Sequence, residues 1–191
     1  NLATCSNGII YKNPKALNKN LKKLKRFCRQ HSRKMKGSKN KEKSRIKLSR
    51  LHLKIANIRK DCLHKITTSI IRENQTIILE DLKISNMIKN RKLSRAISDV
   101  GFYEFRRQLE YKSKWYGRTL ILVDTFYPSS KLCSNCGNKK EDLRLSDRIY
   151  KCEICSLILD RDLNAAKNLE QFYTGSSPEI YDSGDRSSSN E

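Results

Sequence analysis

The sequence has no run of eighteen apolar residues, which excludes a membrane-spanning helix. It opens with no charged stretch followed by an apolar segment, so no secretion signal is legible. Acidic residues are scarce where basic ones are dense. Residues 15–65 hold twenty Lys and Arg but only two acids, Glu42 and Asp61, and the chain as a whole carries a formal charge of +21. Such a density repels itself unless a polyanion screens it, which favours nucleic acid over a small acidic substrate. The bland alternative is a solvated helix surface. An even cysteine count is also missing. Seven cysteines, four of them in CxxC pairs, argue against a disulfide framework and for thiolates held by metal in a reducing, intracellular compartment. There is no internal repeat. Apolar residues at 37% of 191 suffice for one ordinary domain plus a small module.

What is present has a readable order. Short apolar runs flank Asn7–Gly8, which predicts a hairpin over residues 2–12 with a two-residue turn. Leu17, Leu21, Leu24 and Cys28 recur at helical spacing, and Gly37–Ser38 breaks that helix. Leu51, Ile55, Ile58, Cys62, Ile66 and Ile70 then keep the period over a long helix from about residue 41 to 71. The two are expected to lie antiparallel, with Lys and Arg outward and Cys28 and Cys62 as small side chains on the inner stripes. TIILEDL and RTLILVDTF read as strands buried on both faces, separated by one helix from Ala96 to Trp115 that Gly117 stops. Leu163, Ala166, Leu169 and Tyr173 mark a closing helix, and the Ser-rich, acidic tail is expected to be disordered.

Cys133, Cys136, Cys152 and Cys155 form C-x2-C-x15-C-x2-C, the spacing of a four-thiolate zinc site. Four protein ligands leave no open position, so the zinc is expected to be structural. Its folding contribution, about 10–16 kcal/mol in small zinc modules, exceeds what some thirty residues gain from a core of their own.

Asp160 and Asp162 sit where a helix begins and ionised oxygen is favoured by unpaired N–H groups; one of them can be only a cap. Glu80 ends a strand, where an acid must face a cleft or lose several kcal/mol as stranded charge. Carboxylates from a strand end and a helix start are the kind of set that two-metal phosphodiester chemistry draws together.

The phrases ILEDL, FRRQLEYKSKWYG, DTFYPSSKLCSNCG and DRDLNAAKNL resemble the C-terminal half of TnpB, the transposon-encoded OrfB-type family of RNA-guided DNA nucleases related to type V CRISPR effectors. The likeness runs from residue 1 to about 173. It implies an α/β fold: an incomplete RNase H-like (RuvC) domain at 1–126 that includes a basic helical pair at about 15–71, a zinc ribbon at 127–158, a closing helix at 159–173 and a tail at 174–191. It implies Glu80 as the second and Asp162 as the third catalytic carboxylate, both on Mg²⁺, and the four cysteines as zinc ligands. Implied partners are DNA and guide RNA, with no membrane, in a cytoplasmic, nucleoid-associated setting of a mobile element. Lys22, Lys23, Lys25, Arg26, Arg29, Arg33 and Lys34 are the candidate phosphate contacts. The family's first carboxylate lies in a G-x-D-x-G strand before a segment like NLATCSNGII, and its absence here implies a chain inactive by itself, with a missing N-terminal half as a further partner. Asp81 is a poor substitute, because it points away from the face Glu80 occupies. Asp124 has no motif to support it. The alternative function is a zinc-ribbon nucleic-acid-binding protein without chemistry; a ribosome-associated ribbon would leave DRDLNAAKNL unexplained.

Overall fold

The computed structural model describes residues 1–144 and 146–175. The expected tail therefore lies outside the described residues from 176 onward. Packing divides the chain into two units, Asn1–Ala3 with Ile10–Thr125, and Thr4–Ile9 with the described part of Phe126–Glu191.

The chain opens as a short hairpin, β1 (Ala3–Thr4) and β2 (Ile10–Tyr11). Its turn is longer than the predicted two residues. Cys5 N–H donates to Ile9 O at 2.9 Å and Gly8 N–H to Cys5 O at 3.0 Å, so residues 6–8 form the loop and Gly8 takes the left-handed position at φ +86°. Only a residue without a Cβ takes that angle without strain.

In the first unit, α1 (Ala16–Ser32) and the long α2 (Lys39–Glu73) form a helical hairpin around Ala16, Leu51 and Ile55, with Leu17, Leu24 and Phe27 against them. Ser38 caps α2, its hydroxyl accepting from Lys41 N–H. α1 has no cap of its own. Instead the buried Asp99, from α4 (Ser94–Val100), accepts from Leu17 N–H at 2.9 Å and Asn18 N–H at 3.3 Å, with Arg59 of α2 at 3.3 Å. A carboxylate at a helix N-terminus satisfies orphan donors and the dipole together.

The predicted stripe on α2 holds at Leu51, Ile55 and Ile70, with Ile66 against the core, but not at Ile58 and Cys62; Leu63, Thr67 and Ile71 are buried beside it. The helix has two partners along its length, and the second, α5 (Phe102–Trp115), meets a face turned by roughly a third of a turn from the one α1 covers. On α1, Cys28 is exposed, and Phe27 beside it is the residue that packs.

The expected single helix from Ala96 to Trp115 is two, because Gly101 adopts φ +77° between α4 and α5. A Cβ there would lie 3.0 Å from Arg59 Cδ. Phe105 and Leu109 of α5 join Leu63, Ile70, Ile71, Leu2 and Ile77 in the main core. Buried Lys112 stitches α5 to α2: its Nζ donates to His64 O at 2.9 Å and to Thr67 and Thr68 Oγ1 at 2.7 Å each. A short α3 (Ile84–Ile88) precedes these helices.

β3 (Thr76–Glu80) and β4 (Thr119–Val123) pair in parallel, Thr76 opposite Thr119 through Glu80 opposite Val123, with the helices supplying the crossover that parallel strands require. Their burial is uneven: Ile77, Leu79 and Leu120 pack against the helical core and Val123 is fully buried, whereas Leu122 is 37% exposed. Among the described residues this sheet has two strands.

Candidate metal centre and carboxylate sites

The second unit is built around four thiols. Cys133 turns back on itself, Gly137 N–H donating to Cys133 O and Cys133 N–H to Asn138 O, both at 2.9 Å, with Gly137 left-handed at φ +74°. The second knuckle repeats the turn with Cys152 N–H on Leu157 O at 2.9 Å and Ser156 at φ +57°. A side chain at that angle costs about 1 kcal/mol, which glycine would avoid. β5 (Ile149–Lys151) and β6 (Ile158–Asp160) join antiparallel and carry Tyr150 into the centre. Its hydroxyl donates toward Lys131 O at 3.2 Å and Asn138 O at 3.3 Å.

The four Sγ atoms lie within 4.8 Å of one another, Cys133 to Cys155 at 3.5 Å and Cys136 to Cys152 at 3.6 Å. A tetrahedron with Zn–S near 2.3 Å needs S···S of about 3.8 Å, so the donor set fits zinc with little movement. The Asn135 side chain and the Leu157 N–H hold the Cys155 thiol down to about 6, while burial pushes Cys133 up to about 12. A dication at the centre would favour thiolate at all four. Among the described residues, this is the group that can hold a metal with three or more ligands close together.

α6 (Arg161–Thr174) follows β6 without a loop. Asp160 is its cap: one carboxylate oxygen accepts from Asp162 N–H at 2.9 Å and Leu163 N–H at 3.1 Å. The sequence alone leaves that choice open. Asp162 is left in the first turn, 41% exposed, with Arg161 Nη2 at 3.6 Å. One turn on, Asn164 and Asn168 are buried, and sequence reasoning misses them as functional residues. Asn164 Nδ2 donates to Leu132 O at 2.6 Å while its Oδ1 accepts from Ser134 N–H at 3.0 Å. Asn168 Nδ2 donates to Ser129 O and Leu132 O, and Gln171 Nε2 to Ser134 O. The ridge 164–168–171 thus clamps the first knuckle to the helix. Amides at i and i+4 beside a CxxC were the available signal.

Glu80 ends β3 in the first unit, half-buried, with a side chain alternating to the face opposite Leu79. Asp81 turns the other way and pairs with Arg106 of α5, whose Nε also holds Glu110 at 2.8 Å. Asp124 follows β4 directly. Glu80 and Asp162 belong to different units.

A family model described as "Probable transposase", of OrfB type, matches residues 1–91, and a "Cas12f1-like, TNB domain" model matches residues 102–169. A candidate RNA-guided DNA endonuclease of Streptomyces pristinaespiralis is 46% identical over 168 residues, spanning 88% of this chain and 42% of its own. A second from Escherichia coli, InsQ, is 40% identical over 183 residues, spanning 88% of this chain and 45% of its own. A TnpB-like protein of Methanocaldococcus jannaschii is 34% identical over 152 residues, 69% of this chain and 53% of its own.

The chain belongs to the TnpB-type family.

It spans less than half the length of the first relatives it matches. A Cas12f1 chain solved by cryo-EM in a complex with sgRNA and target DNA superposes on it at a TM-score of 0.57, covering 80% of this chain and 41% of that one at 22% identity. That likeness speaks for the fold of the TnpB-type chain, a mix of helices and strands.

The predicted phosphate contacts of the TnpB-type chain lie on α1 and just past its end. Lys22, Lys23, Lys25, Arg26, Arg29 and Arg33 are exposed, and Lys34 is half-buried. Lys23 and Arg26 flank the Phe27 ring at 5.7 and 5.6 Å from its centroid, so part of this charge is ordered by cation–π contact. Arg33 and Lys34 fall just past the helix end. No helix among the described residues is long and apolar enough to cross a membrane.

Proposed function

We propose that this chain forms the RuvC-type part of an RNA-guided DNA endonuclease, with Glu80 and Asp162 as two of its metal-binding carboxylates and DNA and guide RNA as its partners. The observation that carries the reading is the division of labour at the start of α6. Asp160 spends its carboxylate on the helix N-terminus, which leaves Asp162 as the acid available to a ligand. Glu80 is the matching strand-end acid, and Asp81 beside it turns to Arg106. Both are hard oxygen donors of the kind Mg²⁺ takes. Bound there, Mg²⁺ would activate water and stabilise the leaving oxygen of a phosphodiester.

In this reading α6 carries Asp162 in its first turn, and β3 fixes the position of Glu80. The zinc ribbon is a strut, its four cysteines filled and its knuckle clamped to α6 by Asn164 and Asn168. The basic helical pair supplies backbone contacts through Lys22, Lys23, Lys25, Arg26, Arg29, Arg33 and Lys34.

The test is made in the complete complex with guide RNA, target DNA and Mg²⁺. Glu80→Ala and Asp162→Ala should each slow cleavage about a thousandfold or more, the equivalent of roughly 4 kcal/mol, with RNA binding kept. Asp160→Ala should cost about 1 kcal/mol of stability while cleaving far better than Asp162→Ala. Cleavage that survives Asp162→Ala would overturn the assignment. A wild-type complex that binds DNA but never cuts it would favour the zinc-ribbon binding protein without chemistry.

A further inference from the structure

We propose that a ladder on the outer face of α5, Tyr103–Arg107–Tyr111–Trp115, is a stacking platform for the unpaired bases of single-stranded nucleic acid. It rests on the reading that the partner is nucleic acid and adds a site and a mode of contact. The four residues follow at a spacing of four and so form one ridge. They are in order before any ligand arrives: Trp115 meets Tyr111 edge-to-face with ring centroids 4.6 Å apart, and the Arg107 guanidinium lies 5.6 Å from the Tyr111 centroid. Glu104 fixes that guanidinium with two contacts of 2.8 Å.

The ridge is not part of the core. The opposite side of α5, through Phe105, Leu109 and Lys112, is what packs on α2, whereas Tyr103 is 72% and Trp115 75% exposed. Side-chain pairing along a helix accounts for the contacts within the ladder and leaves unexplained why its large flat faces stand in water. Charge decides among partners. Glu104 neutralises Arg107, so that residue acts as a flat surface, and the exposed Lys114 beside Trp115 is placed for a phosphate. Aromatic faces alternating with a guanidinium plane, on a chain of net charge +21, fit bases and backbone together. A duplex hides its base faces and does not fit.

Trp115 is the only tryptophan in the sequence, so its fluorescence reports the platform directly. The protein is titrated, without Mg²⁺ and as the Glu80→Ala, Asp162→Ala variant, with a single-stranded oligothymidylate of about twelve nucleotides, within the range of known site sizes. Binding is followed separately by the anisotropy of a labelled copy. We expect saturable quenching by the single strand and none by a duplex of equal length. Trp115→Ala and Tyr103→Ala should each bind about five- to a hundredfold more weakly, the loss expected for one base–aromatic stack. Both positions are exposed, and circular dichroism checks that the variants stay folded. Binding with unchanged fluorescence and unchanged affinity in both variants overturns the platform, as does no binding at all. Quenching in a protein that never cuts DNA would leave the platform standing and remove the nuclease reading; cutting without quenching would do the reverse.

Discussion

A carboxylate does what its neighbours leave it free to do, and this chain shows several outcomes. Asp99 is buried as a cap for another helix, Asp160 caps its own, and Asp81 is held by Arg106. Glu104 lies in the grip of Arg107 and Gln108, which pull its carboxyl down to about 2 from an ordinary value near 4.5, Arg107 contributing most. The sign of the linkage follows. A folded-state value below the unfolded one contributes stability that is complete above about pH 4.5 and fades as pH falls toward 2. Glu104→Gln should therefore be less stable than wild type near neutrality, by about 1 kcal/mol or less because the pair is partly exposed, and the gap should close across that acid window. Urea unfolding at several pH values measures it; a gap that stays constant down to pH 2 would show that the ion pair is not its source. None of these partnerships is legible in the sequence except the ambiguity at Asp160 and Asp162. The decision there turns on which oxygen reaches two N–H groups, a matter of ångströms that spacing cannot give.

At the scale of elements, the sequence is most legible where one physical signal dominates. The period in α2 runs long enough to outvote local noise, so its existence and ends are read to within two residues, Lys39–Glu73 against about 41–71. It is less legible where two signals compete. The apolar spacing from Ala96 to Trp115 hides the break at Gly101, whose left-handed φ splits α4 from α5. The shift of the buried stripe to Leu63 and Thr67 reflects a second helix arriving at α2, which a one-dimensional period does not encode. Likewise the apolar strands TIILE and TLILV look doubly buried, but burial depends on what covers a sheet. The closing helix is found by its apolar stripe, whereas its decisive residues are polar. Asn164→Ala should leave the Ser134 N–H without its side-chain acceptor, at about 1–3 kcal/mol, and the Leu132 carbonyl held by Asn168 alone. A metal-indicator competition should then show zinc released several-fold faster than from wild type, with α6 still helical by circular dichroism. Zinc release at the wild-type rate would mean that the clamp has no hold on the knuckle.

The whole molecule divides its stability between two kinds of device. The first unit rests on ordinary apolar packing, Leu63, Ile70, Ile71, Phe105 and Leu109 around one centre, and it also carries the dense positive charge of α1 and α2. That charge opposes compactness through self-repulsion, so screening by salt or by a bound polyanion should firm this unit. Among its described residues, the second unit gathers Cys133, Tyr150 and Cys152 into a small buried cluster around its four thiols, too few apolar groups to offset the chain entropy of its loops. In the proposed reading, zinc on the four cysteines supplies the difference. An apparent contribution of about 10–16 kcal/mol equals or exceeds the net stability of a typical whole domain, so removing zinc should dismantle this unit outright. We therefore expect that stripping the protein with a chelator, followed by hydrogen exchange read by mass spectrometry, leaves peptides from 129–144 and 146–160 exchanging as an unfolded chain would. Peptides from α2 should keep their protection, because no residue of the core around Leu63 and Phe105 is a metal ligand. If α2 loses protection in step with the cysteine knuckles, the two units are a single cooperative structure, and apolar packing and metal do not stabilise them separately.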